Sequence, residues 1–248
     1  MAARAGFVIA ACALAWLSAG CVTVQEPKPR PTPLELAYEA SSSEMLLQFL
    51  NTWRQALKPQ DAASLPDDLT RDVYAVYLAL FNPFALDRIT HSKHDNDRYA
   101  GARFVIVQET ISYVVGHPAE APKYELGNFR PAVNFEGVAA LYLTPDYRKQ
   151  IFKFLEAGSA SADAAATGPA KTEGTRRMDF LNRHFRIMPG PWSGWSLATS
   201  PFITQIVFDE SRTTATVYVA VNTRLFVVKM AKEDANWNLL SSKLWLIE

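Results

Sequence analysis

Two imidazoles three residues apart and two carboxylates fall within one run of eight, His91–Ser92–Lys93–His94–Asp95–Asn96–Asp97–Arg98. Nitrogen and oxygen donors of this kind can hold zinc or another divalent cation, so His91, His94 and Asp95 form a candidate metal set. Lys93 and Arg98 lie inside the same run, and no cysteine or distant glutamate pattern completes it. A solvated, charge-rich loop is therefore the competing expectation. The second candidate is Trp192–Ser193–Gly194–Trp195. Trp192 and Trp195, on a Pro/Gly-rich connection, could rim a cleft and stack on sugar, peptide or lipid groups, or could instead seal one end of the core. His117, beside Pro118, and His184 stand alone and read as structural. No nucleophile elbow, phosphate-binding glycine loop or HExxH pair occurs. The acid pairs Asp67–Asp68 and Glu233–Asp234 fit a helix start and a turn. No residue is assigned a catalytic role, and no cofactor is expected.

The amino terminus speaks to location. Met1–Ala2–Ala3–Arg4 carries one positive charge, Gly6 to Leu17 is apolar, and Ser18–Ala19–Gly20 leads into Cys21. Basic start, apolar centre and small-residue cleavage site make a secretory signal peptide over residues 1–20. The apolar run of 12 residues is well short of the roughly 20 that span a bilayer. With the cysteine directly after the small residues, the segment resembles a bacterial lipoprotein signal. Ser18 stands where that family usually has Leu, Val or Ile; Leu17 lies one step further out. The resemblance implies that Cys21 is acylated, palmitate included, and becomes the first residue of the mature chain. Two or three acyl chains would hold the protein to a membrane far more firmly than a single reversible chain does. Val22, rather than Asp, follows Cys21, which within the resemblance favours the outer membrane, with the folded domain in the periplasm.

Composition narrows the remainder. Cleavage before Cys21 would remove Cys12 and leave one thiol, so no internal disulfide is expected and stability must come from a hydrophobic core. Apolar residues make up 49% of the chain and charged residues 20%, enough to build one core over the 228 residues from Cys21 on. Basic and acidic residues balance at 25 each. No basic field exists to hold a polyanion, so nucleic-acid binding is excluded.

Elements must then position the candidates. Residues 21–33 include the alternation Glu26–Pro27–Lys28–Pro29–Arg30–Pro31–Thr32–Pro33 and read as an extended, lipid-anchored tether. From Leu34 the period is helical. Leu46, Phe49, Leu50, Trp53 and Leu57 share one helical face, and Lys58–Pro59 stops it. A second helix follows Pro66–Asp67–Asp68, with Leu69, Val73, Val76, Tyr77 and Leu80 as its stripe. Residues 102–115 and 132–143 read as strands, the latter bulged at Gly137. Thr144–Pro145–Asp146 starts a helix running to Glu156. Residues 157–175 are small, polar and of low complexity, which predicts a flexible insertion. A short helix is expected over 176–187. Strands follow at 202–208, 213–221, 224–231 and 237–247, whose short connections make an antiparallel meander.

The last hairpin, from Val228 through the charged turn Lys232–Glu233–Asp234–Ala235–Asn236 to Trp237 and Leu239, is similar to that of nuclear transport factor 2-like domains. The resemblance implies helices on a curved sheet, shaped as a cone with an apolar pocket. The expectation is a single α+β domain over 34–248, with N-terminal helices packed on a curved antiparallel sheet that ends in a C-terminal β-meander. The function expected is that of a lipid-anchored envelope domain that binds a partner protein, a glycan or an apolar ligand. The alternatives are an envelope hydrolase or isomerase using a pocket between helices and sheet, and a scaffold component of an envelope assembly.

Overall fold

Thr32 opens the folded unit, which spans residues 31–248 by its contacts. The computed structural model describes residues 30–157, 172–189 and 195–247. Cys21, most of the expected tether, most of the expected insertion and Trp192 lie outside the described residues. The tether's predicted last residues belong to the fold instead. The Thr32 hydroxyl accepts from the Glu35 amide, the Glu35 carboxylate accepts from the Thr32 amide, and Pro33 takes the first helical position. That reciprocal cap starts α1 (Pro33–Glu39). Ser41, with φ of 50°, breaks the chain, and Ser42 caps α2 (Ser43–Ala56). The predicted stripe is the buried one: Leu46, Phe49, Leu50 and Trp53. Asp67 caps α3 (Asp68–Leu80), which buries Val73, Val76, Tyr77 and Leu80.

Residues 102–115 form two strands, not one. β1 (Phe104–Val107) and β2 (Ile111–Val115) belong to different sheets. Gln108 makes the corner: its amide donates to the Ile203 carbonyl and accepts from the Ile203 amide, both at 2.9 Å. A side chain thus supplies the ladder bonds that the turning backbone gives up. A strand missed in the sequence, β3 (Tyr124–Leu126), pairs antiparallel with β2. The expected 132–143 strand shortens to β4 (Ala139–Tyr142) because Phe135–Val138 is a turn, with Gly137 at φ of 70°. β4 runs parallel to β1, with Phe104 opposite Ala139 and Val107 opposite Tyr142.

This short pair is the wall between two hydrophobic cores. Val105, Val107 and Tyr142 join α3 and the large sheet, while Phe104, Ile106 and Leu141 join α1 and α2. Strands buried on both faces read as continuous apolar runs, as these do. The Trp53 indole donates to the Tyr142 carbonyl at 2.8 Å and ties α2 across the wall.

Thr144 caps α5 (Pro145–Glu156) as expected. Thr172 caps α6 (Glu173–Leu181), which begins inside the stretch predicted as insertion and ends six residues before the predicted stop. A short hairpin, β5 (Met188–Pro189) with β6 (Trp195–Ser196), brackets the Trp-bearing segment. The meander then follows: β7 (Phe202–Phe208), β8 (Thr214–Val221), β9 (Arg224–Glu233) and β10 (Asn236–Ile247). Trp237 folds back onto it and meets Phe208 edge-on at 5.5 Å.

The large sheet has the order β10-β9-β8-β7-β2-β3, curved and unclosed, and the fold class is α+β. It is mixed where an antiparallel sheet was expected, because β2 and β7 run parallel. Nearly ninety intervening residues give the chain room for that crossover. Among the described residues no helix is long and apolar enough to cross a membrane.

Candidate functional site

The His91–Arg98 run folds as the end of α4 (Asp87–Thr90) and a 3-10 stretch, Lys93–Tyr99. Its members part company. His91 takes a left-handed conformation at the helix end, and its Nε2 lies 3.0 Å from the Ser242 carbonyl of β10. His94 is exposed. Asp95 is buried, its Oδ1 bonded to Arg98 at 2.8 Å and its Oδ2 to Arg224 of β9 at 2.7 Å. Burial alone would raise this carboxyl; hydrogen bonds from Arg224, Thr90 and Arg98 outweigh it and hold the pKa at about 2. Of the three donors expected for a metal, Asp95 is thus taken up by two arginines and His91 faces a carbonyl, while His94 stands apart on the surface. Among the described residues no three His, Cys, Asp or Glu side chains are grouped to hold an ion. Nor is the run simply solvated, since Asp95 buckles it to the sheet.

His184 is buried beyond the end of α6. Burial pushes its imidazole down, and the Arg103 and Arg183 charges push it further. His117 is exposed in a turn.

The Trp-bearing segment leads to a cleft. Immediately after β6, the Thr199 amide donates to the Ile106 carbonyl while its hydroxyl accepts from the Ile106 amide, each at 2.8 Å. The Ser200 amide donates to the Tyr99 hydroxyl at 2.8 Å. These bonds pin residues 196–200 along the open edge of β1. Between them and α5 lies a cleft of about 330 Å³, at the carboxyl ends of β1 and β4. Its apolar lining is Leu143, Phe152, Leu197 and Phe202. Its charged lining is one pair, Arg148 of α5 to Glu109 at 2.7 Å, with the arginine side chain nearly half exposed and the glutamate mostly buried. Ser196 and Ala198 complete one rim, and Trp195 is the residue before Ser196 on β6; Trp192 lies outside the described residues.

An apolar slot with one fixed ion pair at its mouth can bind a small molecule that has an apolar body and a polar end. No family model matches the chain, and no curated protein or solved structure is significantly similar to it. The likeness to nuclear transport factor 2-like domains therefore rests on the β9–β10 hairpin alone. Sequence reasoning missed Glu109, Arg148 and Phe152. One signal was present: Gln108–Glu109–Thr110 interrupts an otherwise apolar run, and that polar break is where the cleft opens.

Proposed function

We propose that this protein is a lipid-anchored binding domain of the bacterial cell envelope, held to the outer membrane through acyl chains on Cys21. Its ligand is a small, largely apolar molecule seated in the cleft beside residues 196–198. The observation that carries the ligand reading is the cleft itself: about 330 Å³, at the lower end of the range that takes small molecules, with four apolar side chains and one ion pair. The anchor and the location rest on the Ser18–Ala19–Gly20–Cys21 sequence. A binding role accounts for the cleft better than an enzymatic one, because its one carboxylate is engaged by Arg148 rather than free to attack or to move protons.

Titration with a fluorescent apolar probe such as N-phenylnaphthylamine tests the ligand half. Saturable binding that weakens about tenfold in Phe152→Asp or Leu197→Asp supports it. Equal binding by wild type and both variants, with folding intact, refutes it. Mass spectrometry of the exported protein tests the anchor, and an unmodified amino terminus at any other residue refutes that half.

A second reading, that of a scaffold component, is favoured by β10. This edge strand exposes Leu240, Leu244, Trp245 and Leu246, with 63% of Trp245 accessible. An edge strand with exposed apolar side chains is where a partner strand can pair, here beyond Ser242, whose carbonyl already meets His91. Concentration-dependent sedimentation that disappears in Trp245→Ser supports this reading.

A further inference from the structure

At the opposite end of the β1–β4 pair from the cleft lies a wider groove of about 500 Å³. One wall is the flank of α2 that turns away from its buried stripe: Leu47, Asn51 and Arg54, four and three residues apart, as one helical face requires. The other is the turn before β4, with Phe135 half-buried and Gly137 open to solvent, nothing lying within 4 Å of where a Cβ would stand. Arg103, the residue entering β1, lines the groove as well.

The charge of this groove is one-sided. Arg54 and Arg103 are both exposed, and neither has a carboxylate within ion-pair distance among the described residues. Several arginines outside the groove do meet an acid, Arg71, Arg98, Arg148, Arg212 and Arg224 among them. No aspartate or glutamate lines the groove. The acid nearest in sequence, Glu136, is exposed on the turn. A concave surface lined by one sign of charge concentrates counter-ions, and the guanidinium fork matches the geometry of phosphate and carboxylate oxygens.

We propose that this groove binds a small organic anion of the phosphate or carboxylate type, its oxyanion between Arg54 and Arg103 and its body against Phe135. Asn51 adds a neutral hydrogen-bonding group, and the open Gly137 leaves the backbone there within a ligand's reach. The site is separate from the apolar cleft and does not depend on the function proposed for it.

The test is a titration of the full chain, in neutral detergent, with inorganic phosphate, phenyl phosphate and benzoate, followed by nitrogen–proton correlation spectra at the Gly137 amide. Saturable shifts are expected, tightest for phenyl phosphate and weakened by added salt. Arg54→Gln/Arg103→Gln should bind at least about tenfold more weakly. Arg88→Gln, which removes one positive charge from an exposed position on α4 away from the groove, should bind as wild type does. Both grooved arginines are exposed, so an unchanged melting curve will verify folding of the double variant. Tighter binding of phenyl phosphate than of inorganic phosphate supports an organic anion, and equal affinity for the two overturns the role given to Phe135 and the organic body. No saturable shift with any probe, or equal loss in the double variant and in Arg88→Gln, overturns the proposal.

Discussion

Asp95→Asn isolates the one buried carboxylate that fastens the irregular 87–99 segment to the meander. The substitution keeps the side chain's shape and removes its charge. In the folded chain the carboxyl titrates at about 2, against 3.8 for the free group. At about 1.4 kcal/mol for each pH unit, that difference corresponds to about 2 kcal/mol of stability. The side chain is 3% exposed, so solvent screening takes little from this figure. The partners Arg98 and Arg224 keep 38% and 25% exposure, so neither is left as a buried unpaired charge, and the larger losses of a broken buried pair do not apply. The sign follows from proton binding. Between pH 3.8 and 2 the unfolded carboxyl is protonated while the folded one is not. The stabilisation is therefore fully present above pH 3.8 and is lost as pH falls through about 2. Urea unfolding of wild type and Asp95→Asn at pH 7, 5, 4 and 3 reads this directly. A gap of about 2 kcal/mol should hold from pH 7 to 5, then narrow by pH 3. A gap that stays constant down to pH 3, or is absent at pH 7, would refute the reasoning.

Three further outcomes follow from the packing. His184→Leu removes a buried imidazole whose pKa is lowered from 6.5; the unfolded chain takes up that proton first, so wild type loses stability as pH drops below 6.5, and the variant should show a flatter pH profile by calorimetry. Trp237→Ala empties the site where the indole meets Phe208 and should cost about 3–5 kcal/mol in urea unfolding. Trp245→Ser, on the exposed edge strand, should change stability by less than about 0.5 kcal/mol while lowering any self-association seen in sedimentation.

Elements whose cause is local were legible. α2 and α3 announce themselves through apolar residues three and four apart, and α5 through Thr144 and Pro145. The meander shows because each of its connections is too short for anything but a neighbouring antiparallel strand. Misreadings cluster where the partner is distant in sequence. Gln108 turns β1 into β2 only because Ile203, 95 residues on, accepts and donates at the corner. The parallel pairing of β2 with β7 has no sequence signal, since nothing local sets it. Asp95 looked like a metal ligand because Arg224, 129 residues away, could not be placed beside it. The cleft itself was not legible, since Glu109 and Arg148 meet only in the folded chain.

Both concavities have one structural cause. β1 and β4 are four residues each, so the pair is only about 10 Å long. Its middle is sealed on both faces by Val105, Ile106 and Leu141, all fully buried. Space can therefore open only at its two ends, where chain segments diverge. At the carboxyl ends, the apolar residues Leu143, Phe152 and Leu197 face a single neutralised pair. At the amino ends, Arg54 and Arg103 face no acid. A ligand at either end rests on strands already held by α2 through Trp53 and by residues 199–200 through Thr199, so neither site has to be assembled on binding. Apolar chemistry at one end and oxyanion chemistry at the other thus follow from the composition of the flanking segments, not from the strands themselves.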